Sequence, residues 1–215
     1  MIERIIFPDA TFRAELQKMG FTLTQDGKDI DTGNPDNQYI FGKTLELDLS
    51  GTEITSLVGI SRFEKLRHLN CSNNKLAALD LTFCFGLERL DCSNNQLRSL
   101  NVIHCTDLSY LDCSNNKLNM LDVHKLTYLN TLKCNGNNLF ELILSNCNSL
   151  STLHCFNNKL TALDVTPIRL DKESLLLCGN QKGKEKFILT LNLSQKENWT
   201  TNSSQDPLNA DILLR

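Results

Sequence analysis

Five consecutive stretches of this chain open on leucine, at Leu66, Leu87, Leu108, Leu129 and Leu150. They read LRHLNCSNNKL, LERLDCSNNQL, LSYLDCSNNKL, LNTLKCNGNNL and LSTLHCFNNKL, and their starts are 21 residues apart throughout. A period this short and strict implies a solenoid in which each turn packs on the next. One turn offers seven apolar positions, for example Leu87, Leu90, Cys92, Leu97, Leu100, Val102 and Cys105. Burying those alone does not offset the ordering of a whole turn, so stacking is obligatory.

The motif L-x-x-L-x-[LC]-x-x-N-x-L is the leucine-rich-repeat signature. The alternation Leu90, Asp91, Cys92 predicts a short strand with leucine and cysteine inward and aspartate outward. Stacked copies make a parallel sheet whose polar side chains line the concave face. Asn74, Asn95, Asn116, Asn137 and Asn158 fall where each strand turns a corner. Buried amides there satisfy backbone groups that a tight bend would strand, which predicts an asparagine ladder. About ten residues then remain before the next strand. They carry a second period-2 pattern, Leu79/Leu81, Leu100/Val102, Leu121/Val123, Leu142/Leu144 and Leu163/Val165. The convex side is therefore expected to be short extended segments rather than helices, with weak curvature.

Nine cysteines in a short chain raise the question of disulfides or metal. The register answers it differently. Cys71, Cys92, Cys113, Cys134 and Cys155 share one column, headed by Leu49 and expected to end at Cys178. Cys84, Cys105 and Cys147 share a second, in which Phe63, Leu126 and Ile168 are equivalent. Cysteine thus interchanges with large apolar residues, as a buried small hydrophobe does. Thiols stacked about 4.8 Å apart in a line do not converge on one zinc ion. Strand spacing permits adjacent disulfides, but parallel side-chain directions and an odd count disfavour them. The ladder is expected to be reduced and unreactive.

A less regular turn, TLELDLSGTEITSL, starts at Thr44. Upstream, FPDATFRAELQKMGF predicts a capping helix with Asp9 as N-cap, Phe12, Leu16 and Met19 on one face, and Gly20 as the stop. The stretch from Thr22 to Asp31 partly matches a calcium loop, but Thr22 and Thr24 stand where carboxylates belong, and a solvated loop is expected. After Pro167 the repeat wears down through LLLCGNQKGKEK, and FILTLNL, Phe187 to Leu193, alternates as a final strand. From Ser194 the chain is a flexible tail or a cap packed by Trp199, Ile212 and Leu213; the cap is favoured because solenoid ends need cover. Sequons at Asn192, Asn198 and Asn202 matter only in a eukaryotic secretory pathway. The division expected is an N-terminal cap of helix plus loop at 1–43, repeats at 44–183 with the last degenerate, and a C-terminal strand with cap or tail at 184–215.

A net charge of −3 over 215 residues gives no basic footprint for nucleic acid or an anionic membrane. No apolar run approaches a membrane span. MIERIIFPDA lacks the basic start and apolar stretch of a signal peptide, so the expected compartment is the cytoplasm if Met1 is native and the surface or exterior if Met1 replaced a leader.

With CSNNxLxxLDV on the page, residues 44 to 166 resemble the cysteine-containing leucine-rich-repeat proteins of bacteria, found in internalin-J-like adhesins of Listeria and in Bacteroidetes surface proteins. The segment IFPDATFRAEL is similar to the PDANFRxxL caps of the latter. The resemblance implies a protein-binding or adhesion role, often extracellular.

The repeated residues build the scaffold, so recognition belongs to positions that vary. Outward strand positions in the early repeats are small, acidic or amide, with His68 and Arg89 among Glu46, Asp48, Asn70, Asp91 and Asp112. Farther along, the same columns present Tyr110, Lys133, His154 and Phe156, where aromatic residues beside a cation suit an interface hot spot. Phe156 replaces Ser72, Ser93, Ser114 and Asn135. It has two readings, a binding anchor or a cover over the junction with the worn repeat. The expectation is a monomeric, non-enzymatic module that binds a protein, or a glycan, through Arg89, Tyr110, Asp112, Lys133, His154 and Phe156. No cofactor, metal, nucleic acid or membrane insertion is expected. A structural spacer that stacks end to end is the alternative. A hydrolytic enzyme is the weaker rival, because a solvated face accounts for His68, His154, Asp48, Asp91 and Asp112, and His104 and His124 read as convex surface.

Overall fold

The computed structural model describes residues 6–168, 175–177, 187–191 and 210–214. Alternation in each repeat produces three-residue strands on the concave side: β1 (Glu46–Asp48), β2 (His68–Asn70), β3 (Arg89–Asp91), β4 (Tyr110–Asp112), β6 (Thr131–Lys133), β8 (Thr152–His154) and β10 (Leu175–Leu177). They form one parallel sheet in the order β1-β2-β3-β4-β6-β8-β10. The register sets leucine on leucine across Leu47, Leu69, Leu90, Leu111, Leu132, Leu153 and Leu176. A slip by one residue would turn that column to solvent, so the pattern fixes the register.

The convex side carries β5 (Met120–Asp122), β7 (Glu141–Ile143) and β9 (Ala162–Asp164), with extended backbone in the earlier turns. β5 pairs with β7; β9 pairs with β11 (Phe187–Leu191), which pairs with β12 (Ala210–Leu214), all parallel. The expected final strand therefore pairs with β9 on the convex side, in a sheet separate from β5-β7. Cys178, Trp199 and the sequon residues Asn192, Asn198 and Asn202 lie outside the described residues, as does the packing of Trp199 on Ile212 and Leu213.

Both cysteine columns are in the core. Cys71, Cys92, Cys105, Cys113, Cys134, Cys147 and Cys155 are fully buried, and Cys84 nearly so, all as free thiols. Burial pushes the concave-column thiols Cys71, Cys92, Cys113 and Cys134 far above their usual range. It raises Cys84 and Cys147 to about 11 and Cys105 to about 12. The Cys147 thiol also donates to the Val123 carbonyl at 3.3 Å.

Each ladder asparagine ties its own turn to the one before. Asn116 Nδ2 donates to the carbonyls of Cys92 at 3.0 Å and Cys113 at 3.1 Å, while its Oδ1 accepts from the Leu97 amide at 2.9 Å. Asn74, Asn95, Asn137 and Asn158 repeat the pattern. The residue before each is in the left-handed region: Asn73, Asn94, Asn115 and Asn157 at φ 53–55°, Gly136 at φ 68°. Only glycine and asparagine enter that region at little cost, which explains the first asparagine of CSNN and its replacement by glycine in CNGN.

At the N-terminus, α1 (Ala10–Lys18) starts at the Asp9 cap, whose Oδ1 accepts from Phe12 N at 2.8 Å. Phe12 and Leu16 are buried, but Met19, expected on the same face, is 37 % exposed. It is the residue that ends the helix, with Gly20 turning away at φ 97°, so it leaves the buried stripe. A second helix, α2 (Pro35–Lys43), stands where only loop was expected. Asn34 caps it, accepting from Asp36 N at 2.8 Å, and Pro35 opens it. Phe7, Phe12, Phe21, Phe41 and Phe63 pack together with centroid distances of 4.5–6.0 Å and cover the first turn. The carboxylates of the expected solvated loop have internal partners. Asp29 accepts from Phe7 N at 2.9 Å and Ile30 N at 2.8 Å, and Asp31 from Gly33 N at 3.0 Å. Among the described residues no helix is long and apolar enough to cross a membrane.

Candidate ligand-binding face

One-for-one register stacks the outward side chains of the concave sheet into rows. The first runs Glu46, His68, Arg89, Tyr110, Thr131, Thr152; the second Asp48, Asn70, Asp91, Asp112, Lys133, His154. A third, just beyond the strands, runs Ser50, Ser72, Ser93, Ser114, Asn135, Phe156.

The second row has a structural task in the early turns. Asp91 Oδ1 accepts from the Ser93 amide at 3.0 Å and hydroxyl at 2.7 Å, and Asp112 does the same with Ser114 at 3.0 and 2.6 Å. Asn70 makes the equivalent pair with Ser72 at 3.2 and 2.8 Å. The carboxylates that sequence reading assigned to solvation thus close the turn with one oxygen. Asp112 is buried at 7 % exposure, far less open than expected of a surface acid.

Tyr110 is the centre of the varied cluster. The Arg89 guanidinium lies 4.4 Å from its ring centroid, and Lys133 Nζ lies 5.4 Å from it while donating to the Tyr110 hydroxyl at 3.2 Å. The Asp112 Oδ2 is 3.6 Å from Lys133 Nζ and 3.5 Å from the Tyr110 hydroxyl. The Tyr110 hydrogen bond, more than the neighbouring charges, raises the Lys133 pKa. Two cations and an acid hold the ring in one orientation, which lowers the entropy lost if the ring meets a ligand.

One strand on, His154 packs against Phe156 with centroids 6.3 Å apart. Burial, then the Lys133 charge, lowers the His154 pKa, opposed by Asp112. Its Nε2 is shielded from solvent with no hydrogen-bond partner among the described residues. The six residues selected from sequence therefore lie on adjacent strands or, for Phe156, just beyond one, in contact through Arg89, Tyr110, Lys133 and Asp112 and through the His154–Phe156 pair. Tyr110 and Phe156 are half-buried rather than exposed, Tyr110 between Arg89 and Lys133 of the neighbouring strands and Phe156 against His154.

A depression of about 300 Å³ lies toward the N-terminal end of the face. Glu46, Asp48, His68, Asn70, Arg89, Asp91 and Tyr110 line it, over Leu47 and Leu69. Sequence reading placed the patch toward the C-terminal half and missed this hollow; Tyr110 and Arg89 belong to both. Here His68 Nδ1 is 3.1 Å from Glu46, and Arg67 pairs with Glu88.

On the convex flank, Phe83 and Phe85 are 60 % and 56 % exposed and meet edge to face at 6.2 Å, with His104 against Phe85 at 6.3 Å. The signal for them was in the sequence, because equivalent positions in neighbouring turns are Arg62 and Glu64, then His104 and Thr106. His124, expected at the surface, is half-buried with Nδ1 2.8 Å from Asp122.

Parallel strand stack, buried asparagine ladder and buried cysteine ladder together define a leucine-rich-repeat solenoid of 21-residue turns. No family model matches the chain, and no curated protein matches it either. Among solved structures it is similar to the functional domain of InlJ from Listeria monocytogenes, which includes a cysteine ladder: 29% identity, TM-score 0.64, covering 83% of this chain and 42% of that one. It is also similar to a leucine-rich-repeat protein of Leptospira interrogans, at 24% identity and TM-score 0.57, covering 82% of this chain and 50% of that one. The chain spans half or less of the length of each.

Proposed function

We propose that this chain is a non-enzymatic, monomeric interaction module that binds a protein through the concave face, with Tyr110 and Phe156 as anchors. The observation that carries this reading is the clamped Tyr110. The repeats are otherwise near copies, and at this strand and the next two they depart from the copy to build a held aromatic ring, a cation and a second aromatic pair. Arg89, Asp112 and Lys133 position the ring, and His154 supports Phe156. Rigid aromatic groups beside cations are what interface hot spots use. The role typical of leucine-rich-repeat folds agrees with it.

Catalysis finds little support on this face. The buried thiols resist ionisation, Asp91 and Asp112 each spend an oxygen on a turn, and the His154 Nε2 is shut away from solvent. The spacer alternative needs open apolar ends, and the five-phenylalanine cap over the first turn weighs against it at that end.

Immobilised chain and its Tyr110→Ala/Phe156→Ala double variant would be compared for proteins retained from the native host. Proteins held by the first and lost by the second, at matched melting temperature, are the expected result, with each substitution weakening binding by about 1–3 kcal/mol. Equal retention would overturn the assignment, and a large stability loss from Phe156→Ala alone would make that residue a junction cover.

A further inference from the structure

We infer that the concave face is polarised along its length to receive an extended peptide segment of the partner, basic at the end over β1–β3 and apolar at the end over β8. This deepens, and rests on, the reading of that face as the binding surface.

The first three strands and their flanks carry Glu46, Asp48, Glu88 and Asp91 against Arg67 and Arg89. Arg67 pairs with Glu88, Glu46 faces His68, and Arg89 lies on the Tyr110 ring. Asp48 accepts from Ser50 and from the side chain of Asn70, Asp91 from Ser93, and neither has an ion-pair partner among the described residues. Both line the 300 Å³ depression. The Ser50 backbone amide holds the Asp48 carboxyl below its ordinary pKa, so it is charged at neutral pH.

The other end is different. Beyond β4 the outward positions of β6 and β8 and the row beside them are Thr131, Lys133, Thr152, His154, Asn135 and Phe156. Lys133 is the one formal charge among them, paired with Asp112 at 3.6 Å, and the lowered pKa keeps His154 neutral near pH 7. A reversed segment would set its cations against Lys133 and its apolar groups on unpaired carboxylates, so charge complementarity fixes the direction. Five strand spacings of about 4.8 Å separate β1 from β8, roughly 24 Å, which about seven extended residues span. A neutral glycan offers Asp48 and Asp91 no cation, and a nucleic acid would be repelled by them.

The sequence supplies its own control. Asn70, between Asp48 and Asp91 in the row, closes its turn as an aspartate does. The variant Asp48→Asn/Asp91→Asn therefore keeps the turns and removes the charge.

The probe is an acetylated, amidated heptapeptide with two lysines at one end and leucine and phenylalanine at the other, carrying a paramagnetic tag at the lysine end and followed by amide NMR. The tag should broaden amides of β1–β3, and the double aspartate variant, at unchanged melting temperature, should bind about fivefold more weakly. Raising salt to about 0.5 M should erase that difference. Broadening at β6 and β8, equal affinity of the variant, or equal binding of a peptide with glutamate for lysine would each overturn the polarity. If partners lost by the Tyr110→Ala/Phe156→Ala variant are captured equally by the aspartate variant, the binding reading stands and the polarity falls. Amide shifts absent from all the concave strands would overturn the polarity as well.

Discussion

In the repeats the corner after each concave strand is built the same way, with an asparagine or glycine in the left-handed region followed by a ladder amide reaching into the previous turn. In the cap each bend has its own device. Asp9 accepts from Phe12 N with one oxygen and from Thr55 N, Thr55 Oγ1 and Ser56 N with the other, at 2.6–3.1 Å. Buried Asn37 joins Thr22 and Asp31, and Gly59 at φ 101° lets the Phe7 ring pack on its backbone. Repetition makes the stack tolerant of variation at any one surface position but couples neighbouring turns through shared amides. The cap has no spare copy of anything.

The largest effect should come from breaking the shared amide at the centre of the stack. Asn116→Ala strands the Leu97 amide and takes one donor from the carbonyls of Cys92 and Cys113, which keep Asn95 Nδ2 and Asn137 Nδ2. One stranded amide at about 1–3 kcal/mol and two lost hydrogen bonds at about 1 kcal/mol each give an expected loss of about 4 kcal/mol. Because the amide serves two turns, hydrogen exchange should speed up on both β3 and β4. Acceleration confined to the mutated turn would show that the turns are not coupled this way.

Gly59→Ala tests the cap. An added Cβ would lie 2.4 Å from the Phe7 ring, on a residue in the left-handed region. The expected cost is about 3 kcal/mol, from strain and displacement of Phe7. Exchange should quicken in α1, α2 and β1 and stay slow at β6. Uniform acceleration would mean that cap and stack unfold as one unit.

How much of this was legible follows from the same contrast. The period put Leu90, Cys92, Asn95, Leu100 and Val102 in their places because five copies average out local accidents, and the cysteine columns followed from register alone. The cap had one copy of each signal. Asp9 was read correctly as an N-cap from local spacing, but its second oxygen serves Thr55 and Ser56, a contact 46 residues away that local pattern cannot carry. Asn34-Pro35 is a helix-start signal present in the sequence, inside a region expected to be loop. On the concave face, sequence selects Tyr110 and Lys133 as departures from the repeat. Their clamping by Arg89 and Asp112 needed the register, and the hollow near Glu46 and His68 needed the surface.

Within the stack, the two thiol columns should separate. Cys113→Ser puts a hydroxyl among buried apolar groups and should cost about 2 kcal/mol. A thiol reagent at neutral pH should label none of the eight described cysteines in the native protein, and each of them in denaturant. On raising pH, Cys84 and Cys147, with pKa about 11, should react before Cys92 and Cys113. Native labelling of Cys92 first would contradict the burial order.

Acid should weaken the cap joint before the asparagine ladder, whose amides do not ionise. Burial tends to raise the Asp9 pKa, but the Thr55 hydroxyl and the amides of Phe12, Thr55 and Ser56 outweigh it, and the net shift is downward. A depressed folded pKa contributes stability above the unfolded value of about 3.9 and loses it as pH falls through the folded value. The melting temperature should be flat from neutral pH down to about 5 and fall below about 4. Cap amides should lose exchange protection first. A decline that begins near pH 6 would point to histidine instead.

Calcium should have the smallest effect, none that a melting curve can read. A cation in the loop at residues 22–31 would compete for oxygens already engaged. Asp29 Oδ1 holds the amides of Phe7 and Ile30, and Asp26 Oδ1 holds the Thr24 hydroxyl at 2.6 Å and the Lys28 amide at 3.2 Å. Withdrawing Asp29 would release Phe7 from the ring cluster that seals the first turn, so coordination and cap packing oppose each other. Stabilisation by a ligand requires tighter binding to the folded than the unfolded chain, and here folding consumes the ligand atoms. Millimolar calcium or a chelator should move the melting temperature by less than about 1 °C. A rise of several degrees would mean that the loop rearranges around the ion, and that the cap is not the rigid, single-copy lock contrasted here with the repeats.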